Sequence, residues 1–291
     1  MNISEFFRSQ LQSLDGELTL VLPRVHAPKP DDEAIHDLRV TIRRLRVLLK
    51  LGRAPYGRFY ADAVRAGFTR LHRSTGLLRD EEVLHETLAK LNVRDAAFAS
   101  WKTSRLARER LLRRRAVQLL HSGALEESRE MLAALVRLPV KPKHDDDLST
   151  FARKEVLRAQ KKVEGLRDTP ATDTAGLHEL RIAYKGLRYA VEMMQGALPI
   201  DLAALAKPAA TFQKRLGELH DLDMAIASIG RARGIPAPTR SRVLAALRRA
   251  RKVSVDRYIS EMRPQAELTR KPAEATLKGA QRGLRRNESS K

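Results

Sequence analysis

The sequence predicts an all-α protein built as two related helical bundles. Three observations carry that expectation. Nearly every long segment spaces its apolar residues at the helical period, and no convincing apolar/polar alternation of a strand appears. The stretch from His36 to Lys50 contains no Gly or Pro and separates into an apolar seam and a cationic ladder. The chain then repeats that stretch 142 residues later (178 − 36 = 142).

The ladder is a matter of angle. At about 100° per residue, His36, Arg39, Arg43, Arg46 and Lys50 fall within an arc of about 80°, while Leu38, Ile42, Leu45 and Leu49 share an arc of about 60°. Neighbours at i and i+3 or i+4 stand roughly 5–6 Å apart, so the like charges repel unless an anion joins them. In the second copy His178, Arg181, Lys185 and Arg188 take the ladder places, and Leu180, Tyr184, Leu187 and Val191 take the seam. The counterpart of Lys50 is Glu192, which weakens the second ladder.

Taken in order, residues 3–22 read as an amphipathic helix stopped by Pro23. The loop from Pro28 to Asp32 supplies capping chemistry for the first ladder helix, which ends near Gly52 and Pro55. A helix over 58–75 closes at Gly76, and another begins with Gly76-Leu-Leu-Arg79-Asp80-Glu-Glu82. Residues 95–121 suit a long basic helix, and 123–137 a shorter one. The segment from Pro139 to Asp147 is the expected linker between halves. Helices then follow at 150–167, with Lys154, Arg158 and Lys161 on one face, at 175–196 for the second ladder, and at 201–216, 220–232 and 238–262. The two halves are placed at about 1–138 and about 147–262, and 263–291 as a basic, disordered tail.

Composition narrows the partners. Fifty-six basic residues stand against 35 acidic ones, a net charge of +21, and the isoelectric point is near 10.8. A surplus of that size points to polyanions. With 43% hydrophobic residues the charge does not signal general disorder. The absence of Cys excludes disulfides, thiol catalysis and Cys-based zinc sites. No run approaches 18 apolar residues and the N-terminus lacks a cleavable apolar core, so a cytoplasmic protein without a membrane partner is expected.

The acidic pairs Asp80/Glu82 and Asp221/Asp223 recur at an offset of 141 (221 − 80 = 141) and invite a metal or catalytic reading. Residues two apart do not face together on a helix, however. Capping of a helix N-terminus, or ion pairing that orients ladder arginines, explains them better. His26, His72, His85, His121 and His144 form no metal-binding pattern and are read as surface or core residues. Phe6, Phe7 and Trp101 are read as core. No nucleophile motif or Gly-rich phosphate loop is present, and neither catalysis nor a cofactor or metal is expected.

The paired stretches His36-Asp-Leu-Arg39-Val-Thr-Ile-Arg43-Arg44-Leu-Arg46 and His178-Glu-Leu-Arg181-Ile-Ala-Tyr-Lys185-Gly-Leu-Arg188 resemble the signatures of the CHAD family, the conserved histidine α-helical domain. The segments Arg79-Asp80-x-Glu82 and His220-Asp221-x-Asp223 resemble that family's second motif in each half. The resemblance, over roughly residues 3–262, implies two pseudo-two-fold-related bundles forming one unit with a central basic groove. It also implies a stand-alone, non-enzymatic module that binds inorganic polyphosphate and associates with polyphosphate granules. Phosphate contacts would fall to His36, Arg39, Arg43, Arg46, His178, Arg181, Lys185 and Arg188, with support from Lys50, Arg73 and Lys214. The Glu-x-Glu-x-Lys start of the triphosphate tunnel domain that often accompanies the family is not found. Nucleic acid remains the competing partner, since this charge binds it nonspecifically. Scarce aromatics, at 4%, argue against base stacking.

Overall fold

The computed structural model describes residues 2–27, 32–138, 147–198 and 202–261. The expected capping loop at 28–31, the linker at 139–146 and the tail at 263–291 lie outside the described residues. Among the described residues helix is the only regular secondary structure, with no strand. The helices are α1 (Ile3–His26), α2 (Asp32–Leu51), α3 (Arg53–Tyr56), α4 (Arg58–Ser74), α5 (Gly76–Ala89), α6 (Ala96–Leu120), α7 (Ala124–Arg137), α8 (Leu148–Glu164), α9 (Thr174–Met194) and α10 (Ala203–Gly230). A last helix, α11, covers 237–261.

The chain divides into two compact units. The first comprises the residues up to Val83 with Lys102–Leu148, and the second Leu84–Trp101 with the residues from Ser149 on.

In the first unit α1 starts on a capping box. The Glu5 amide donates to Asn2 Oδ1 at 2.8 Å, and the Asn2 amide donates to Glu5 Oε2 at 3.0 Å. Pro23 does not stop this helix as expected; it lies inside it. An interior proline costs about 3 kcal/mol, and the flanking Val21 and Val25 are both buried, which offsets that cost by about 1.5–3 kcal/mol each. The seam of α2 is fully packed, with Leu38, Leu45 and Leu49 at 0% exposure and Ile42 at 2%. It packs against α1 and α4, and α4 in turn against α7. At that last crossing Gly67 permits close approach, since a Cβ there would lie 2.6 Å from Ser128 Oγ. On the far side of α2, Arg44 pairs with Glu17 at 2.7 Å and Asp37 with Arg24 at 2.6 Å, both carboxylate–guanidinium contacts with α1.

In the second unit α9 packs along α10. The seam residues Leu180, Tyr184, Leu187 and Val191 are all buried, and Tyr184 stacks on Phe212 with centroids 4.4 Å apart. The two helices expected at 201–216 and 220–232 are one helix, α10, with Gly217 in its interior. Glycine there costs about 1 kcal/mol. Leu216 and Leu219 are buried on either side of it and carry the helix through. Leu84, Leu88, Phe98 and Trp101 share a core cluster with Ala225, Ile229, Val243 and Leu247, so α11 belongs to this unit's core. Phe6, Phe7 and Trp101 are core residues, as expected.

Candidate anion-binding helices

The first ladder lies in the first unit and the second in the second, and each has its own geometry.

Helical register explains the first. With Leu38 set at zero, Ile42 marks the edge of the seam at about 40°, and Arg46 and Arg39 follow at about 80° and 100°. Lys50, Arg43 and His36 lie further round, at about 120°, 140° and 160°. The two arginines nearest the seam are therefore drawn into the interface with α4. Arg39 is only 7% exposed; it donates to the His72 carbonyl at 3.0 Å and to the Thr75 hydroxyl. Arg46 Nε donates to Thr69 Oγ1 at 3.0 Å. Arg43 is half-buried, while His36 and Lys50 are exposed.

Charge compensation separates these two arginines. Burial, then Arg43, pulls the Arg39 guanidinium down to about 10, although Glu82 and Asp80 oppose the shift. Arg46 is also lowered, first by burial and then by Arg65, Arg73 and Arg43. Among the described residues, the charges that shift Arg46 are thus all guanidiniums. Arg73 is exposed, and Arg65 lies 3.6 Å from Asp62, a carboxylate already bonded three times by Arg53. Arg43, Arg46, Arg65 and Arg73 form a cationic cluster between α2 and α4 that an anion would relieve.

In the second ladder His178 Nδ1 lies 3.2 Å from His220 Nδ1 of α10, and the ring centroids are 4.6 Å apart. Arg181 and Lys185 are half-buried, and Gly217 faces Arg181 closely, its Cβ position 3.8 Å from Arg181 Nε. Arg188 Nε donates to Glu192 at 2.6 Å, and its guanidinium lies 5.5 Å from the centroid of the Tyr189 ring. Lys214 is exposed on α10. The Glu192 substitution thus does more than subtract a cation: it occupies Arg188. A cavity of about 60 Å³ behind this seam, bordered by Tyr184, Leu187 and Phe212, is too small for an extended phosphate chain.

The acidic pairs do not cap helices. Asp80 and Glu82 lie beyond the first turn of α5, and Asp221 and Asp223 are deep inside α10. Glu82 accepts from Arg79 at 3.3 Å and from Arg113 at 3.1 Å, and Asp223 accepts from Arg251 of α11. Among the described residues no group of three or more His, Asp or Glu side chains could hold a metal ion.

Sequence reasoning missed Arg65, Thr69, Thr75, His220 and Arg251. His220 had a signal, since it sits in the recurring motif at the place of Arg79. The threonines had none, because their role depends on how α4 packs on α2.

The comparisons agree on the fold. A sequence model described as CHAD domain matches residues 7–230. The crystal structure of the CHAD domain from the plant Ricinus communis is similar with a TM-score of 0.64 at 23% identity, covering 98% of this chain and 92% of that one. PptA from Streptomyces chartreusis is similar with a TM-score of 0.63 at 19% identity, covering 87% and 96%. No curated protein sequence matches the chain. No helix among the described residues is long and apolar enough to cross a membrane.

Proposed function

The chain belongs to the CHAD domain family, and from that premise we propose that it binds inorganic polyphosphate through its two ladders without transforming it. The observation that carries this reading is the cluster of Arg43, Arg46, Arg65 and Arg73, in which burial and three neighbouring guanidiniums all disfavour the charge on Arg46. A phosphate polymer supplies one negative charge per unit along its length, and each contact with a ladder cation is a charge-assisted hydrogen bond. In the second unit Arg181 and Lys185 supply the equivalent charge, with His178 beside them.

Lys50, Arg73 and Lys214 are exposed and act as outer contacts in this proposal. Arg39 differs from the expected role: its bonds to His72 and Thr75 make it chiefly the clamp that holds α2 to α4. Arg188 is a lesser contact because Glu192 competes for it. Residence in the cytoplasm and association with polyphosphate granules belong to the same proposal.

Long-chain polyphosphate, a short oligophosphate and a homopolymer RNA, compared at equal phosphate concentration and near-physiological salt, test it. The long chain binds most tightly, and affinity falls steeply with salt through counterion release. RNA that displaces polyphosphate at equal phosphate concentration would instead assign the ladders to nucleic acid.

A further inference from the structure

The contact between His178 and His220 is more than a neighbour of the second ladder. Two ring nitrogens of the same type, Nδ1 and Nδ1, face each other at 3.2 Å. A hydrogen bond at that distance needs one Nδ1–H and one bare Nδ1. The donor ring, when neutral, therefore leaves its own Nε2 bare, while the acceptor ring carries a hydrogen on Nε2. One further proton completes the pair, landing on the bare Nε2 lone pair. The product is a monocation sharing one Nδ1–H, with both Nε2–H groups directed away from the shared bond as donors. A second added proton would set two N–H groups against each other. The pair takes one proton.

The groups facing it set the balance. Arg181 on α9 and His178 itself disfavour charge on His220, Asp223 on α10 favours it, and Asp223 is held by Arg251 of α11, which also donates to the Thr174 hydroxyl at 3.2 Å. Burial acts first and, with these neighbours, holds His220 down to about 4, so near neutral pH the His220 ring carries no added proton. An oxyanion beside Arg181 reverses the sign of that local field.

We propose that His178 and His220 form one proton-accepting element of the phosphate site, which takes up a proton as a phosphate oxyanion docks beside Arg181 and then presents two Nε2–H donors to it. His220 thereby becomes a binding residue. The inference rests on the reading of the second ladder as a phosphate-binding strip.

An opposite charge within contact range raises a basic group by about 1–3 pH units. Binding is therefore linked to proton uptake, strongest on the acid side of neutrality. A shift of two units strengthens binding about tenfold between about pH 7.5 and about pH 5. Internal phosphates of a long chain stay ionised over that range, whereas terminal groups titrate near about 6. Long chains are thus the appropriate probe.

The experiment is titration calorimetry of the full chain with long-chain polyphosphate, with chelator present, in pairs of buffers that differ in ionisation enthalpy. Circular dichroism at each pH confirms folding. The expected result is uptake of up to one proton per bound site, greatest near about pH 5–6, together with the rise in affinity. Either His220→Gln or His178→Gln reduces the uptake and flattens the rise in affinity on the acid side. Tight binding with no proton uptake at any pH, or uptake unchanged in both variants, overturns the inference and leaves the polyphosphate reading standing. No binding at any pH overturns both.

Discussion

The Thr69 hydroxyl accepts from Arg46 Nε at 3.0 Å and donates to the backbone carbonyl of Arg65 at 2.8 Å. A hydroxyl has one hydrogen and two acceptor sites, so this one relays between helices and fixes the plane of the Arg46 fork against α4. Thr75 repeats the device, accepting from Arg39 while lying 3.2 Å from the Leu71 and His72 carbonyls. Thr69 within α4 and Thr75 capping its C-terminus thus set the two arginines nearest the seam of α2.

Thr69→Val keeps the side-chain shape and removes the relay. A hydrogen bond is worth about 1 kcal/mol, so affinity for long-chain polyphosphate drops about fivefold while the circular dichroism spectrum is unchanged. Thr69→Ser restores it. An unaltered dissociation constant in the valine variant means that Arg46 does not depend on this hydroxyl for its binding pose.

Arg39 and Arg43 differ in what their loss costs. Arg39→Ala strips the bonds to His72 and Thr75 at a buried site, a loss of about 2 kcal/mol from urea unfolding midpoints. Arg43→Ala changes stability much less but weakens polyphosphate binding, because it removes one cation from a like-charged cluster. Equal destabilisation by both would contradict this division of labour.

Asp223 and Glu82 serve as ion-pair partners of Arg251 and Arg113. Asp223→Asn and Glu82→Gln should therefore lower the unfolding midpoint, and the parent protein should release no phosphate from polyphosphate above background with magnesium. Magnesium-dependent release that disappears in Asp223→Asn would restore an enzymatic reading.

The pH dependence of the unliganded protein has a definite sign. His220 is held down to about 4 in the folded chain, chiefly by burial, against about 6.5 for a solvated histidine. Between those values the unfolded chain binds more protons, so His220's contribution to stability is lost as the pH falls. Urea midpoints between about pH 7 and about pH 4.5 should decline less steeply in His220→Gln than in the parent. An identical slope would remove His220 from the account.

Much of this was legible in the sequence, and the limits are physical. The seams of α2 and α9 follow from residue spacing, and both are buried as expected. The same angles indicate that Arg39 and Arg46 border the seam. They cannot say that α4 brings Thr69 and Thr75 to meet them, because that depends on tertiary packing. Gly217 looked like a boundary and proved interior, since buried Leu216 and Leu219 override a local glycine preference. That misreading assigned Asp223 to a helix start, and it hid the approach of His220 to His178. Pro23 misled in the same way, for the same reason of flanking burial. The pairing of Asp223 with Arg251 joins residues far apart in the chain and leaves no local trace.

The most direct test is binding of long-chain polyphosphate to an Arg43→Glu/Arg46→Glu variant beside Arg248→Glu/Arg249→Glu, which reverses two exposed cations of α11 and matches the change in net charge. Circular dichroism first establishes that both variants fold. The account predicts that the α2 variant loses most of its affinity and that the α11 variant keeps most of its own. Equal losses in both would mean that bulk charge, and not the ladder, holds the polymer.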